Sequence, residues 1–223
     1  MKKGFTLSEV LICLGIVGTV AALTIPATMR NYQKRVLTTQ LQKTYSQISS
    51  AVQTIMDAEH VDNFYETTAT TCPGNNCDTS VKYWFDNYFL PVKKDCQKGT
   101  DLCTAGNTAD SYQNIDGDNA GGINSYCIQT SDGAAICGFM NPNNTCFSIV
   151  VDVNGPSAPN VTGRDVFSMD IHKDGSISDY SSGCADNSYG CSASQCNNGT
   201  GSIFNVACGC LTSIIESGWK MEY

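Results

Sequence analysis

One carboxylate stands alone in an apolar stretch. Between Lys3 and Arg30 the only charged residue is Glu9, and from Val10 to Ala27 nothing is ionised at neutral pH. On insertion scales a charge at the centre of a membrane helix costs about 3 kcal/mol. A buried carboxylate therefore asks for a partner. Thiols form the second set: the chain has 13 Cys, of which only Cys13 precedes residue 60. Hard oxygens form the third. Asp152, Asn154, Asn160 and Asp165 crowd one loop, and Asp116, Asp118 and Asn119 make a smaller group. Such oxygens suit Ca²⁺. The same residue types also serve turns through side-chain-to-backbone bonds, and the spacing does not match an EF-hand.

Catalytic constellations are missing. There is no Ser-His-Asp setting, no HExxH, no phosphate loop and no lipase elbow. Gly-rich segments lack strand–turn–helix context, and His172 before Lys173-Asp174-Gly175 reads as a turn residue. The cysteines do not suggest a metal or redox centre: there is no C-x-x-C pair, and His60 and His172 are the only histidines. In an oxidising compartment twelve cysteines read as a disulfide framework. Local candidates are Cys72–Cys77 and Cys96–Cys103. Cys146, Cys184, Cys191, Cys196, Cys208 and Cys210 have no pairing that spacing supports.

The positioning elements follow from periodicity and charge. Residues 1–60 carry six Lys/Arg against Glu9, Asp57 and Glu59; the remainder carries seven against 18 acids, within a net charge of −8. A basic stem root thus precedes an acidic head. That head disfavours nucleic acid as a partner, because phosphate binding needs a basic footprint. The first apolar run is long enough to span a bilayer as a helix. Lys2 and Lys3 predict a cytoplasmic N-terminus. From Met29 to Glu59 there is no Gly or Pro, and Met29, Tyr32, Val36, Leu37, Leu41, Tyr45, Ile48, Val52, Ile55 and Met56 recur at helical spacing. Arg30, Lys34 and Arg35 sit where anionic lipid headgroups would lie.

In the head, Val81–Leu90 predicts a short helix ended by Pro91, with Tyr83, Trp84, Phe85, Tyr88 and Phe89 in the core. Residues 95–122 read as irregular. SYCIQT and AAICGF around Ser131-Asp132-Gly133 predict a hairpin with Gly133 left-handed, which sets Cys127 opposite Cys137. A buried strand follows over 146–153. Residues 166–171 and 176–180 predict a second hairpin. The order of helix, loop and antiparallel meander predicts an α+β head packed on the stem's apolar stripe.

The string Lys2-Lys3-Gly4-Phe5-Thr6-Leu7-Ser8-Glu9, leading straight into the apolar run, resembles the class III signal of type IV prepilins and type II secretion pseudopilins. That resemblance implies cleavage by prepilin peptidase after Gly4 and N-methylation of Phe5. It implies pairing of Glu9 with the N-terminal amine of a neighbouring subunit, although Glu9 could instead snorkel or meet its own amine. Pro26 falls where the family places a helix-kinking proline, and a proline at that point is itself expected to kink or locally melt the combined helix. The implied divisions are a leader over 1–4, a membrane and filament-core helix over 5–28, an amphipathic stem over 29–59 and a Cys-rich head over 60–223.

The implied fold is pilin-like. The implied function is a structural subunit of a pilus or secretion pseudopilus, with no enzymatic activity and no certain cofactor beyond the Ca²⁺ expectation. Its partners would be like or related subunits, the peptidase, membrane lipid and an inner-membrane platform with its ATPase. It would lodge in the inner membrane, head outward, before entering a filament. The alternative is a minor or tip subunit for adhesion, DNA uptake or capture of secretion substrates.

Overall fold

The computed structural model describes residues 4, 6–97, 102–140, 147–180, 191–196, 203 and 208–223. Two compact units emerge, Met1–Val36 and Leu37–Tyr223. Helix α1, Leu7–Glu59, contributes to both. In the first unit its side chains are almost all exposed, from Leu7 through Leu23 to Tyr32.

The second unit is built on a six-stranded antiparallel sheet. Its strands are β1 (Lys93–Lys94), β4 (Tyr126–Gln129), β5 (Ala135–Met140), β6 (Phe147–Asp152), β7 (Val166–Ile171) and β8 (Ile177–Asp179), adjacent in that order. A separate ribbon pairs β2 (Tyr112–Gln113) with β3 (Asn119–Gly121). Helix α2 spans Asp78–Tyr88 and α3 spans Cys210–Glu216. Single 3₁₀ turns, Phe64–Glu66, Thr68–Thr70 and Pro73–Asn75, lead from α1 to α2.

The sheet separates two cores, because successive strand residues face opposite sides. On one side Leu41, Ile48, Val52 and Ile55 of α1 join Trp84 and Phe85 of α2, Ile136 of β5, Phe147, Ile149 and Val151 of β6, and Leu211 and Ile214 of α3. Phe64, Trp84 and Phe147 meet edge-to-face, with ring centroids 5.2–5.7 Å apart. The β7–β8 turn touches α1 so closely that a Cβ on Gly175 would lie 2.9 Å from Met56 Sδ. On the other side Cys96, Cys103, Tyr112, Ile123, Cys127, Cys137, Val150 and Val166 form a smaller core. Two disulfides therefore stand where a larger domain would place a second apolar layer. This is an α+β, pilin-like fold: a long N-terminal helix with an apolar stretch, an antiparallel sheet and, among the described residues, five disulfides.

Several expectations need correction. Met29, Tyr32 and Val36 are exposed, so coverage of the stripe begins at Leu37. Tyr83 is also exposed, on the side of α2 turned from the core, whereas Tyr88 is half-buried and packs against the core's edge. α2 begins three residues earlier than its apolar pattern, at Asp78, whose acid suits a helix N-terminus. Residues 112–121 form the β2–β3 ribbon rather than an irregular stretch. α1 runs unbroken through Pro26, so the chain is not melted there. The hydroxyls of Thr24 and Thr28 bond back to the carbonyls of Val20 and Thr24 at 3.0 Å, occupying backbone acceptors around the proline.

Candidate functional site

The first turn of α1 is a reciprocal cap. Thr6 N donates to Glu9 Oε2 at 2.7 Å and Thr6 Oγ1 donates to the same oxygen at 2.8 Å. In return Glu9 N donates to Thr6 Oγ1 at 3.3 Å. Thr6-x-x-Glu9 is thus a capping box, which satisfies helix-start donors and gives the carboxylate local partners. The T-x-x-E spacing was the available signal, and reading Glu9 only as a charge in lipid overlooks it. Phe5, the expected new N-terminus, lies outside the described residues.

Three glycines here have no intramolecular reason. A Cβ on Gly4, Gly15 or Gly18 would meet nothing within 4 Å. Gly inside a helix costs roughly 1 kcal/mol relative to Ala. In α1 the chain itself gains no packing in return. Cys13 is exposed, and among the described residues it is the one unbridged cysteine. One 18-residue window of α1 has mean hydropathy 2.3 and is wholly unburied, which is long and apolar enough to cross a membrane.

The head's cysteines are joined in sequence-local pairs. Cys72–Cys77, Cys96–Cys103 and Cys127–Cys137 are disulfides, with Cα separations of 4.2, 5.4 and 4.1 Å. Cys127 sits directly opposite Cys137 in the β4–β5 register. Cys191–Cys208 and Cys196–Cys210 are two further bridges that spacing did not yield. They fasten 191–196 to the entry of α3. Cys146 and Cys184 lie outside the described residues.

The 152–165 loop brings its polar side chains together. Asp152, at the end of β6, accepts from the Tyr112 hydroxyl at 2.6 Å. Asp165 accepts from Asn160 N and Val161 N, each at 2.7 Å. Asn154 Nδ2 donates to the carbonyls of Ser157 and Ala158 at 2.8 and 3.1 Å. Three buried oxygens, the Oδ1 atoms of Asp152, Asn154 and Asn160, have no hydrogen-bond partner. Burial pushes the Asp152 carboxyl well above its ordinary range, and the neighbouring Asp165 pushes it further. Burial likewise raises Asp165 to about 6 against its backbone donors. Among the described residues, no three His, Cys, Asp or Glu side chains converge as metal ligands. The smaller group dissolves into turns: Asp118 N donates to Asn114 Oδ1, and Asn119 Nδ2 donates to Asp110. His172 is also a turn residue, bonded through Nε2 to Ser178 Oγ at 2.7 Å.

Residues 1–25 match the family model of the prokaryotic N-terminal methylation motif. No curated protein and no solved structure matches the chain. The matched motif is typical of type IV pilins and type II secretion pseudopilins, which are non-enzymatic structural subunits. Motif and N-terminal helix together imply a pilin or pseudopilin subunit, held first in the inner membrane and then in a filament.

Proposed function

We propose that this chain is an incorporated structural subunit that polymerises through the apolar part of α1. Prepilin peptidase cuts after Gly4 and the new amine of Phe5 is methylated. The helix over 5–28 holds the subunit in the inner membrane, with the head over 60–223 on the outer side. An assembly platform and its ATPase then draw the subunit into a filament of like or related subunits. The carrying observation is the apolar α1 window, wholly unburied and joined to the methylation motif. The unfilled space around Gly15 and Gly18 supports it, since small residues let helices approach closely in lipid or in a filament core.

Glu9 is assigned the register. In the uncut chain Thr6 caps it. In the filament its carboxylate takes the amine of a neighbour instead, an ion pair between two full charges in place of hydrogen bonds from neutral donors. Glu9→Ala is expected to leave membrane insertion intact and to abolish incorporation, read by membrane fractionation beside a sheared-filament assay. Normal filament yield from that variant refutes the role.

A second reading concerns the 152–165 loop, and the three unpartnered buried oxygens favour it. We propose that Asp152, Asn154, Asn160 and Asp165 hold a structural Ca²⁺. A divalent ion would supply those oxygens with a partner and keep both carboxylates ionised. The melting temperature of the full chain should rise with added Ca²⁺ and fall with chelator. No Ca²⁺ uptake by calorimetry and no shift in melting ends the idea.

A further inference from the structure

Residues 217–223 form a strap that joins two separate parts of the second unit. Ser217, Gly218 and Trp219 donate their N–H groups back to carbonyls of α3, and the chain turns away there, with Gly218 at a φ of 67°. The Trp219 ring meets the Tyr45 ring of α1 edge-to-face, with centroids 5.4 Å apart. Met221 is buried. At the far end the Tyr223 hydroxyl donates to the Gly163 carbonyl at 2.6 Å. The strap thereby ties α1 to the loop over 152–165.

Gly163 lies inside the turn that carries the loop's second carboxylate. Asp165 accepts from Asn160 N and Val161 N and so closes the two ends of that turn on each other. Val153 N donates to Asp165 O at 2.8 Å, which joins the turn to the first half of the loop. The turn also lies against α3: a Cβ on Gly163 would stand 2.8 Å from Cys210 Sγ. α3 is fixed independently, by the Cys196–Cys210 bridge and by Thr212 N on Asp179. What the turn itself holds is the strap beyond α3.

Opposing forces act on the strap. Trp219 has a φ of 61°, a left-handed conformation that a bulky residue keeps only where its surroundings hold it. The Tyr45 contact, the burial of Met221 and the hydroxyl on Gly163 supply that hold. An ion on Asn160 and Asp165 would fix both ends of the turn and with them the place of the Gly163 carbonyl. Two events that order the same turn favour each other, because the second finds part of the ordering already done. We propose, resting on the Ca²⁺ reading of the 152–165 loop, that ion occupancy and seating of the 217–223 strap on α1 are coupled through the 160–165 turn. The ion then fastens the head to its stem helix as well as ordering its own loop. Linkage makes this reciprocal: the seated strap raises ion affinity by the factor by which the ion favours seating.

The test uses the full chain in detergent. Calorimetry with CaCl₂ measures uptake, and hydrogen exchange read by mass spectrometry compares Ca²⁺ with chelator. Ca²⁺ should slow exchange in peptides over 217–223 about fivefold or more, and by more than in α2. Tyr223→Phe removes only the hydroxyl on Gly163 and should weaken Ca²⁺ binding severalfold. Uptake of Ca²⁺ with exchange over 217–223 unchanged or faster overturns the coupling and leaves the ion site standing. Equal affinity in a folded Tyr223→Phe variant does the same. Absence of Ca²⁺ uptake overturns the ion site and the coupling together. The exchange comparison needs no substitution, so it decides the question if that variant does not fold.

Discussion

Gly138 offers a sharp test of how α2 meets the sheet. It lies inside β5, opposite Tyr126 on one side and Ile149 on the other. Its φ is not left-handed, so its backbone would accept a side chain. By strand propensity alone Gly138→Ala should therefore stabilise the strand. Packing predicts the opposite. A Cβ there would lie 2.6 Å from Val81 Cγ1 and 2.8 Å from Phe85 Cζ, both buried side chains of α2. Neither is the far end of a flexible chain, so helix and sheet must separate. Overpacking of this kind costs about 1–3 kcal/mol. For a domain of this size that is a fall in melting temperature of roughly 2–12 °C. The assay is thermal melting of the oxidised full chain followed by circular dichroism. A double-mutant cycle with Val81→Ala makes it specific, because truncating Val81 removes the shorter contact. The double variant should lose less than the sum of the singles, with a coupling of about 0.5 kcal/mol or more. A melting shift below 1 °C, or strict additivity, refutes this packing.

Two further outcomes follow from the head. Replacing both Cys127 and Cys137 by Ala frees a loop whose ends are 10 residues apart. Chain-entropy arguments put the loss at about 3 kcal/mol, read as a lower denaturation midpoint with the other bridges oxidised; an unchanged midpoint speaks against a stapled second core. Asp165 and Asp179 are each raised by burial to about 6. A carboxyl whose folded pKa exceeds its unfolded value stabilises the fold fully below the unfolded pKa, and loses that contribution as pH rises through about 6. The chelated head should thus melt higher at pH 5 than at pH 7.5, and Asp179→Asn should flatten the difference. Equal slopes in the parent and that variant contradict the assignment.

How much could be read from residues alone depended on the range of the interactions. The β4–β5 hairpin was legible because alternation, a Gly turn and two cysteines all act within about a dozen residues. The stem stripe was legible from Leu37 onward because its apolar residues repeat every three or four. Its upper part looked the same in sequence, yet Met29, Tyr32 and Val36 are exposed. Periodicity records which face is apolar and does not record what covers it. β1 escaped notice because two residues carry no period, and α3 because seven residues rich in Ser, Thr and Ile nucleate poorly alone. α3 is fastened from outside, by Cys210 to Cys196 and by Thr212 N donating to Asp179 at 3.0 Å. At the N-terminus the motif carried the biology, while the Thr6 cap needed the geometry of the first turn to be seen.

The central claim is that the apolar helix is retained and begins at Phe5. Intact and N-terminal peptide mass spectrometry of the protein taken from its own membranes measures this directly. The account predicts a mature chain that starts with N-methyl-Phe5, lacks 1–4 and keeps the whole of 5–28. A retained Met1, or a start near Ala22–Ala27 with the apolar run removed, would contradict it.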